Sequence, residues 1–245
     1  MVFNVQIFDF LMRILGVWVD NVSQEETWQK IREFLTDGGQ HYIVTPNAEF
    51  LVRAQKDEDF RKILNNADLA LPDGAGLIWA SRFLGKPLKE RVSGVDLVEW
   101  FKQSKIKLVE ARIFLLGGRG GVAKKIADKW PEVVGFSEET EGKALFEQIE
   151  QCRPNILFVA LGAPKQEKWI AQNLLKIPSV KLAVGVGGAF DMLSGKLRRA
   201  PRFMQKMWLE WLWRLILQPQ RLPRIFNALI KFPWLILKEK KSRIS

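Results

Sequence analysis

The sequence contains one histidine, His41, and one cysteine, Cys152, among its 245 residues. A Ser-His-Asp triad, a histidine relay and a two-histidine metal site all depend on imidazoles that this chain scarcely has. A single cysteine excludes a disulfide scaffold and a four-thiolate zinc site, and it is typical of a reducing compartment. Binding or catalysis by this chain must therefore use other side chains.

Long hydrophobic runs are also absent. The longest, such as residues 156–164, extend for about nine residues, whereas a membrane-spanning helix needs about 20. The apolar stretch Val5–Met12 is interrupted by Asp9 and lacks both a basic leader and a small-residue cleavage site. We therefore expect no signal peptide and no transmembrane span, and hence a cytoplasmic protein.

The charge of the chain is concentrated at one end. Hydrophobic residues make up 47% and charged residues 27%, which excludes global disorder, and the net charge is +11. Residues 1–195 contain 25 basic and 25 acidic residues, whereas residues 196–245 contain 13 basic residues against Glu210 and Glu239. The second segment also holds four of the ten tryptophans. We therefore divide the chain into a neutral core, residues 1–195, and a basic, Trp-rich appendage, residues 196–245.

A recurring unit organises the core: an apolar β-rich run, a loop of glycine, proline and polar residues, and then a helical pattern. The predicted strands are Ile14–Val19, His41–Val44, Ala67–Leu71, Arg112–Leu116, Asn155–Leu161 and Lys181–Val186. This alternation predicts an α/β fold, a Rossmann-like and mainly parallel sheet with helices on both faces. Such sheets bind ligands at the carboxyl ends of their strands, where the polar residues of this chain cluster. The sequence therefore predicts a binding crevice there.

The appendage has the pattern of basic amphipathic helices. Residues Phe203–Leu217 form an apolar, Trp-rich helical pattern, and a second apolar piece, Ile225–Leu237, precedes a basic end. Pro219 and Pro223 are expected to break the first helix. Its narrow polar stripe, at i, i+4 spacing, consists of Lys206, Glu210 and Arg214.

A glycine-rich turn resembles a dinucleotide-binding fingerprint. Residues 118–123 match G-x-G-x-x-A between a predicted strand and a helix, and the acidic pair Glu138-Glu139 lies about 20 residues further on, the spacing of a ribose contact. Glycines let backbone amides approach a diphosphate. Three interpretations stay open: a nicotinamide site, a nucleotide-sugar contact through Gly117 and Gly118, and a purely structural turn.

Candidate catalytic residues follow two neighbouring strands. Asp73, in Pro72-Asp73-Gly74, could take a proton from an attacking hydroxyl, or it could cap the following helix. The same two roles are open for Thr45 and Asn47: each could hydrogen-bond a ligand or cap the helix that follows it.

No convincing metal site is present in the sequence. Asp57-Glu58-Asp59 has the D-x-D form of a divalent-ion site but lies in a highly charged helical stretch. We therefore predict a solvated helix surface there, no metal and no cofactor, and an inert Cys152.

The basic side chains of the appendage have two possible partners. Arg214, Arg221 and Arg224 suit a diphosphate, which guanidinium groups bind in a bidentate manner. They equally suit the anionic lipids of a membrane surface. Interleaved Trp, Leu and Ile favour a membrane interface over a nucleic acid.

Several blocks in a fixed order resemble a known family. They are Thr45–Phe50 (TPNAEF), Pro72–Gly76 (PDGAG), Arg91–Leu97 (RVSGVDL), Gly162–Trp169 (GAPKQEKW), Gly185–Asp191 (GVGGAFD), and Gly195 through Arg199-Ala200-Pro201. The series, which covers roughly residues 14–224, resembles the WecG/TagA/CpsF glycosyltransferase family. This chain has Trp208-Leu209-Glu210-Trp211 where relatives often have Gly-Leu-Glu-Trp.

The resemblance implies a metal-independent, inverting glycosyltransferase at the cytoplasmic face of a bacterial membrane. Family members typically move N-acetylmannosamine, or its uronic acid, from UDP to a polyprenyl-diphosphate-linked N-acetylglucosamine, as in teichoic acid synthesis. By position, Asp73 is implied as the general base and Thr45 and Asn47 as pocket residues, with the appendage attaching to the bilayer and supplying arginines. The substrate-binding residues implied within the other blocks are Arg91, Ser93, Asp96, Gln166, Glu167, Gly187, Gly188 and Asp191.

Two other functions compete with this one. An NAD-dependent oxidoreductase would explain the glycine fingerprint but not the appendage. A non-enzymatic basic protein that binds membrane or nucleic acid would explain the appendage but not the core. The appendage's apolar face also allows a homo-oligomer off the membrane.

Overall fold

The structure, a computed structural model, describes residues 11–103, 110–201, 203, 204, 207 and 209–244. Its centre is a six-stranded sheet in the order β4-β3-β8-β7-β5-β6, with every pairing parallel. A separate pair of strands, β1 and β2, is antiparallel. The strands are β1 Leu11–Ile14, β2 Val17–Asp20, β3 His41–Val44, β4 Leu69–Ala70, β5 Ile113–Gly117, β6 Val133–Ser137, β7 Ile156–Ala160 and β8 Leu182–Gly185.

Helices cover both faces of the sheet. The core helices are α1 Gln24–Thr36, α2 Ala48–Ala54, α3 Glu58–Asn65, α4 Ala75–Phe83, α5 Gly94–Lys102, α6 Val122–Ala127, α7 Lys143–Cys152, α8 Lys165–Asn173 and α9 Ala189–Leu193, with a 3₁₀ turn at Leu174–Lys176. Ser23 and Glu26 form the predicted capping box at the start of α1.

The central strands are apolar throughout because both of their faces are covered. Along β7, Ile156 and Phe158 belong to one buried cluster, whereas Leu157 and Val159 belong to another on the opposite face. This period of two is the geometry of a pleated strand. The predicted α/β class and parallel sheet are therefore confirmed.

The first predicted strand is wrong. Residues 14–19 are not one strand, because the chain reverses at Leu15 and Gly16, which have φ angles of 49° and 79°. Positive φ at both central residues is the geometry of a tight hairpin turn, and leucine gives no warning of it. The hairpin packs Ile14 and Val17 against the core. Strand β6 and helices α5 and α7 are additional to the predicted units.

The appendage is helical, but its boundaries differ from those predicted. Helix α10 covers Glu210–Leu217, with Leu209 outside its first turn, so Phe203–Leu217 is not one helix. Lys206 and Trp208 lie outside the described residues. A 3₁₀ turn, Pro219–Arg221, leads into α11, Leu222–Phe226.

Helix α11 continues through a π-helical turn, Asn227–Lys231, into α12, Phe232–Ile244. Pro223 therefore begins a helix instead of ending one, as the missing N–H allows in a first turn. The wider π turn ends two residues before Pro233, whose ring would clash with a regular α-helix.

The appendage packs against the core. Phe232 and Ile236 are fully buried in the cluster that contains Leu51 and Leu77. The carboxylate of Glu239 accepts a hydrogen bond from the backbone N–H of Leu15 at 3.0 Å. Within the described ranges, no helix combines the length and the apolar character needed to cross a bilayer.

Candidate active site

A cavity of about 320 Å³ lies between the carboxyl edge of the sheet and the appendage. Thr45 follows β3, Asp73 follows β4, Gly162 follows β7 and Gly187 follows β8, so four strand ends converge there. The predicted crevice thus has a roof, which the appendage supplies. The predicted site residues that line it are Thr45, Asn47, Asp73, Arg91, Ser93, Gln166, Gly187, Gly188, Arg214, Arg221 and Arg224.

Asp73 does not cap the helix that follows it. The N-cap position of α4 belongs to Gly74, at φ 88°, and no side chain hydrogen-bonds that end of the helix. The backbone N–H of Asp73 donates to the carbonyl of Pro46 at 2.9 Å, which fixes the residue at the cavity wall. The capping interpretation is therefore wrong, and the carboxylate is left for a ligand.

The surroundings of Asp73 tune its acidity. Burial raises the pKa of its carboxyl to about 6, although the positive charges of Arg91 and Arg214 act in the opposite direction. The negative charges of Asp96 and Glu210 raise the pKa further. A carboxyl with a pKa near neutrality is a stronger proton acceptor than an ordinary aspartate and is still ionised at pH 7.

Of the two roles predicted for these positions, helix capping and ligand binding, Asn47 performs the first and Thr45 is left for the second. The Oδ1 atom of Asn47 accepts a hydrogen bond from the backbone N–H of Phe50 at 3.1 Å, so Asn47 caps α2. Its amide nitrogen remains a donor at the cavity wall. Thr45 is 6% exposed, and its hydroxyl has no hydrogen-bond partner among the described residues. It is therefore free to bind a ligand group.

Four arginines bring positive charge to the cavity. Arg91 comes from the core, and Arg214, Arg221 and Arg224 come from the appendage. Burial lowers the pKa of Arg221 to about 10, and the nearby charges of Arg214 and Arg224 lower it further. Arg224 is paired with Glu49, with 3.7 Å between Nε and Oε1. Like charges that converge in a partly buried space form a site for an anion.

Gln166 joins two of the loops that line the cavity. Its Oε1 atom accepts hydrogen bonds from the backbone N–H groups of Gly162, at 3.1 Å, and Gly187, at 2.9 Å. Its Nε2 atom donates to Oε1 of Glu167 at 2.7 Å. Both polar ends of Gln166 are thus bound within the protein. Its contribution to the cavity is to hold the two loops in place.

Glu167 and Asp96 lie behind the cavity wall. Glu167 is fully buried, and burial raises the pKa of its carboxyl to about 7. Asp96 completes a capping box with Ser93 at the start of α5. It also pairs with Arg199 at 2.6 Å and with Arg91 at 3.5 Å. Neither side chain lines the cavity, and the substrate contact expected of them stays a prediction.

The glycine-rich turn lies outside the cavity. Gly117 and Gly118 have φ angles of 89° and 77°, and a β-carbon on either would come within 2.6 Å of Leu161 or Val122. Oε1 of Glu138 accepts a hydrogen bond from the backbone N–H of Gly121 at 2.6 Å. The carboxylate of Glu138, which was expected to bind a ribose, is instead hydrogen-bonded to the backbone N–H of the glycine-rich loop. The structural interpretation of this turn is the one that fits, and the nicotinamide site is not supported.

Three further sequence predictions concern groups that do not line the cavity. Asp57 caps α3 and pairs with Lys168 at 2.8 Å, so the acidic string begins a surface helix as predicted. No group of three metal-binding side chains occurs among the described residues. Asp191 faces Lys196 at 3.7 Å. Burial raises the pKa of the Cys152 thiol, which disfavours its reactive thiolate.

The cavity also contains residues that the sequence did not single out as ligands. Glu49, Glu210 and Trp211 line it. Glu210 and Trp211 belong to the family block at residues 208–211, and Glu210 is part of the predicted polar stripe. The polar stripe is the sequence feature that could have pointed to Glu210. The sequence does not show, however, that this side of the helix faces the cavity and not solvent.

Comparisons with known proteins agree with this geometry. A family model described as "Glycosyl transferase WecG/TagA/CpsF family" matches residues 12–245. A protein of Bacillus subtilis (strain 168) is 35% identical over 211 residues, which cover 82% of this chain and 80% of its own length. A protein of Staphylococcus aureus (strain MRSA252) is 29% identical over 240 residues, covering 93% and 92%. Both are named N-acetylglucosaminyldiphosphoundecaprenol N-acetyl-beta-D-mannosaminyltransferase.

Proposed function

The chain belongs to the WecG/TagA/CpsF family of glycosyltransferases, and from that premise we propose its reaction. It transfers N-acetylmannosamine from UDP to a polyprenyl-diphosphate-linked N-acetylglucosamine, a step of teichoic acid or surface polysaccharide synthesis. The observation that carries this proposal is the meeting of Asp73 with four arginines in one cavity. The names of the relatives support the choice of sugar and acceptor.

Asp73 acts as the general base. Its carboxylate takes the proton from the acceptor hydroxyl, whose oxygen then forms a bond to the anomeric carbon of the donor. The bond between that carbon and the diphosphate oxygen breaks, and UDP leaves with the electron pair. One direct displacement inverts the configuration at the anomeric carbon. Thr45 and the amide of Asn47 hold the reacting groups beside Asp73.

The arginines stabilise the leaving group. Negative charge develops on the diphosphate as the bond breaks, and preorganised cations lower the energy of that transition state. One guanidinium group can donate two parallel N–H···O hydrogen bonds to a phosphate group. Arg214, Arg221 and Arg224 therefore do the work that a divalent ion does in other sugar-nucleotide enzymes.

The appendage also places the enzyme on its lipid substrate. Apolar side chains that are about half exposed follow one another along it, namely Phe226, Ile230, Trp234 and Leu237. Basic residues flank them, and anionic lipid attracts each basic residue near its surface by about 1 kcal/mol. We place the protein at the inner face of the bacterial membrane as a peripheral protein, since a helix of this kind lies in the interface plane.

The reaction is tested with purified protein, a short-chain lipid-diphosphate N-acetylglucosamine acceptor and three donors in parallel. The donors are UDP-N-acetylmannosamine, its uronic acid and UDP-N-acetylglucosamine. The proposal predicts UDP release with the first donor that depends on acceptor, an inverted product by NMR, and an unchanged rate in EDTA. Release with only one of the other donors would show that N-acetylmannosamine is not the sugar transferred. No release with any donor would reject the reaction.

A further inference from the structure

Glu210, at the start of α10, lies at the centre of the charged wall of the cavity. One oxygen of its carboxylate is 3.6 Å from the Arg91 guanidinium, and the other is 3.8 Å from that of Arg214 and 4.0 Å from Nε of Arg199. The Glu210 side chain is only 13% exposed. One negative charge therefore faces three positive ones in a space with little water to screen them.

These distances are too long for hydrogen bonds, so Glu210 attracts the arginines without using their N–H groups. The Nε atom of Arg214 is buried and has no hydrogen-bond partner. Arg91 approaches Asp96 and Glu210 at 3.5 and 3.6 Å, again outside hydrogen-bond range. Arg214 gives one donor of Nη2 to Sδ of Met192 at 3.5 Å. Both guanidinium groups keep further donors for a ligand while a charge holds them in place.

The same carboxylate links two parts of the chain. Arg91 precedes α5 in the core, whereas Arg214 lies one helical turn after Glu210 in the appendage. Arg199 extends the link, because it also pairs with Asp96 and Glu99 on α5. Among the described residues, Glu210 is the one carboxylate that lies within 4 Å of both Arg91 and Arg214, so without it no single ion-pair partner would join these two arginines.

We propose that Glu210 is a positioning residue, whose carboxylate holds the guanidinium groups of Arg91 and Arg214 in one diphosphate site across the boundary between core and appendage. This inference deepens the proposed function and rests on it for the effect on turnover. Its effect on anion binding is independent of sugar transfer.

Binding of inorganic pyrophosphate provides the first test. The Glu210→Gln variant has one negative charge fewer, so simple Coulomb attraction predicts tighter binding of an anion. Positioning predicts the opposite, a Kd about tenfold higher, which corresponds to ~1.4 kcal/mol. Calorimetry on the full chain measures it, and the Arg214→Gln variant gives the background from other basic surfaces. Tighter or unchanged binding by Glu210→Gln would overturn the inference, as would equal binding by wild type and Arg214→Gln.

Two further variants control for folding. Glu99→Gln removes a carboxylate that also contacts Arg199 but does not line the cavity, and pyrophosphate binding is expected to stay within twofold. Glu210→Asp keeps the charge on a side chain one methylene shorter, and an intermediate Kd is expected. Equal losses in Glu99→Gln and Glu210→Gln would show that any break in the charged network weakens binding, and would overturn the inference.

Pyrophosphate binding separates this inference from the proposed function, because it needs no sugar transfer. Pyrophosphate results as predicted, without sugar transfer by the wild type, would reject the proposed reaction and leave the positioning role standing.

Discussion

Arg221 of the appendage lies directly over Gly188 of the core, with its Nη2 atom 3.5 Å from the point that a β-carbon on Gly188 would occupy. Gly188 follows β8 with a φ of −76°, a conformation open to any residue. Glycine at this position therefore serves to leave space for the Arg221 guanidinium group, and the backbone conformation does not require it.

Substitution of Gly188 tests that contact. Gly188→Ala adds a methyl group at ordinary van der Waals distance, and we expect transfer activity within about threefold of wild type. Gly188→Val adds two further methyl groups where the guanidinium lies. We expect a loss of about 100-fold in kcat with little change in Tm, the size of effect seen when one transition-state donor is removed. Similar kinetics for the two variants would show that Arg221 does not need this position.

The raised pKa of Asp73 has a consequence for stability. Its folded-state pKa of about 6 exceeds the unfolded value of 3.8, so the stability that the protonated carboxyl contributes is present below pH 4 and lost as the pH rises through 6. The Asp73→Asn side chain does not ionise, so the variant does not lose this stability as the pH rises. We expect the variant to be more stable than wild type by about 1–3 kcal/mol at pH 7.5 and nearly equal to it at pH 3.5.

Urea unfolding at the two pH values measures this difference. Asp68→Asn, a change at a carboxylate far from the cavity that bonds Tyr42 and His41, is the control and should not stabilise the protein at pH 7.5. A wild-type protein as stable as Asp73→Asn at pH 7.5 would mean that the Asp73 carboxyl titrates like an exposed one.

Docking of α12 is predicted to be necessary for activity. Ile236 is fully buried against the core, and its neighbour Leu237 is 54% exposed. Ile236→Ala should remove about 2–5 kcal/mol of packing free energy, release the appendage and abolish transfer. Leu237→Ala should leave transfer to a soluble acceptor nearly unchanged. Protease cleavage within the appendage reports docking, and full activity with a rapidly cleaved appendage would contradict the prediction.

Membrane attachment is predicted to depend on the exposed apolar side chains of the appendage. Replacement of Ile230 and Trp234 by Glu adds two negative charges to the face proposed to enter the interface, and should abolish co-sedimentation with vesicles of anionic lipid. Leu175→Glu is the matched control, because Leu175 is 86% exposed on the core. Vesicle binding that survives the double substitution but is lost in Leu175→Glu would move the interface to the core.

Local patterns in the sequence were sufficient for much of the fold. Five of the six predicted strands lie in the parallel sheet, because continuous apolar runs such as Ile156–Ala160 are typical of strands buried on both faces. The hairpin at Leu15 was missed because its turn depends on positive φ at a residue that rarely adopts it. The cap at Gly74 was missed for a related reason, since Asp73 is the better capping residue by composition alone.

The cavity was predictable only in part. Strand ends are local features, so Thr45, Asp73 and Gly187 could be placed at one edge from the sequence. Arg91 and Glu210 are 119 positions apart, and their pairing depends on how the appendage folds over the core. Gly117 and Gly118 were predicted from a motif whose glycines relieve crowding by Leu161 and Val122. Side-chain packing of that kind leaves no periodic trace in the sequence.

The proposed reaction depends most on Asp73 as its general base. The most direct measurement is UDP release from UDP-N-acetylmannosamine, with and without lipid-diphosphate N-acetylglucosamine, by wild type and Asp73→Asn between pH 5 and 8. We expect acceptor-dependent release by wild type, with an acidic limb near pH 6, and a loss of about 1,000-fold in the variant. A folded Asp73→Asn protein that releases UDP at the wild-type rate would contradict it.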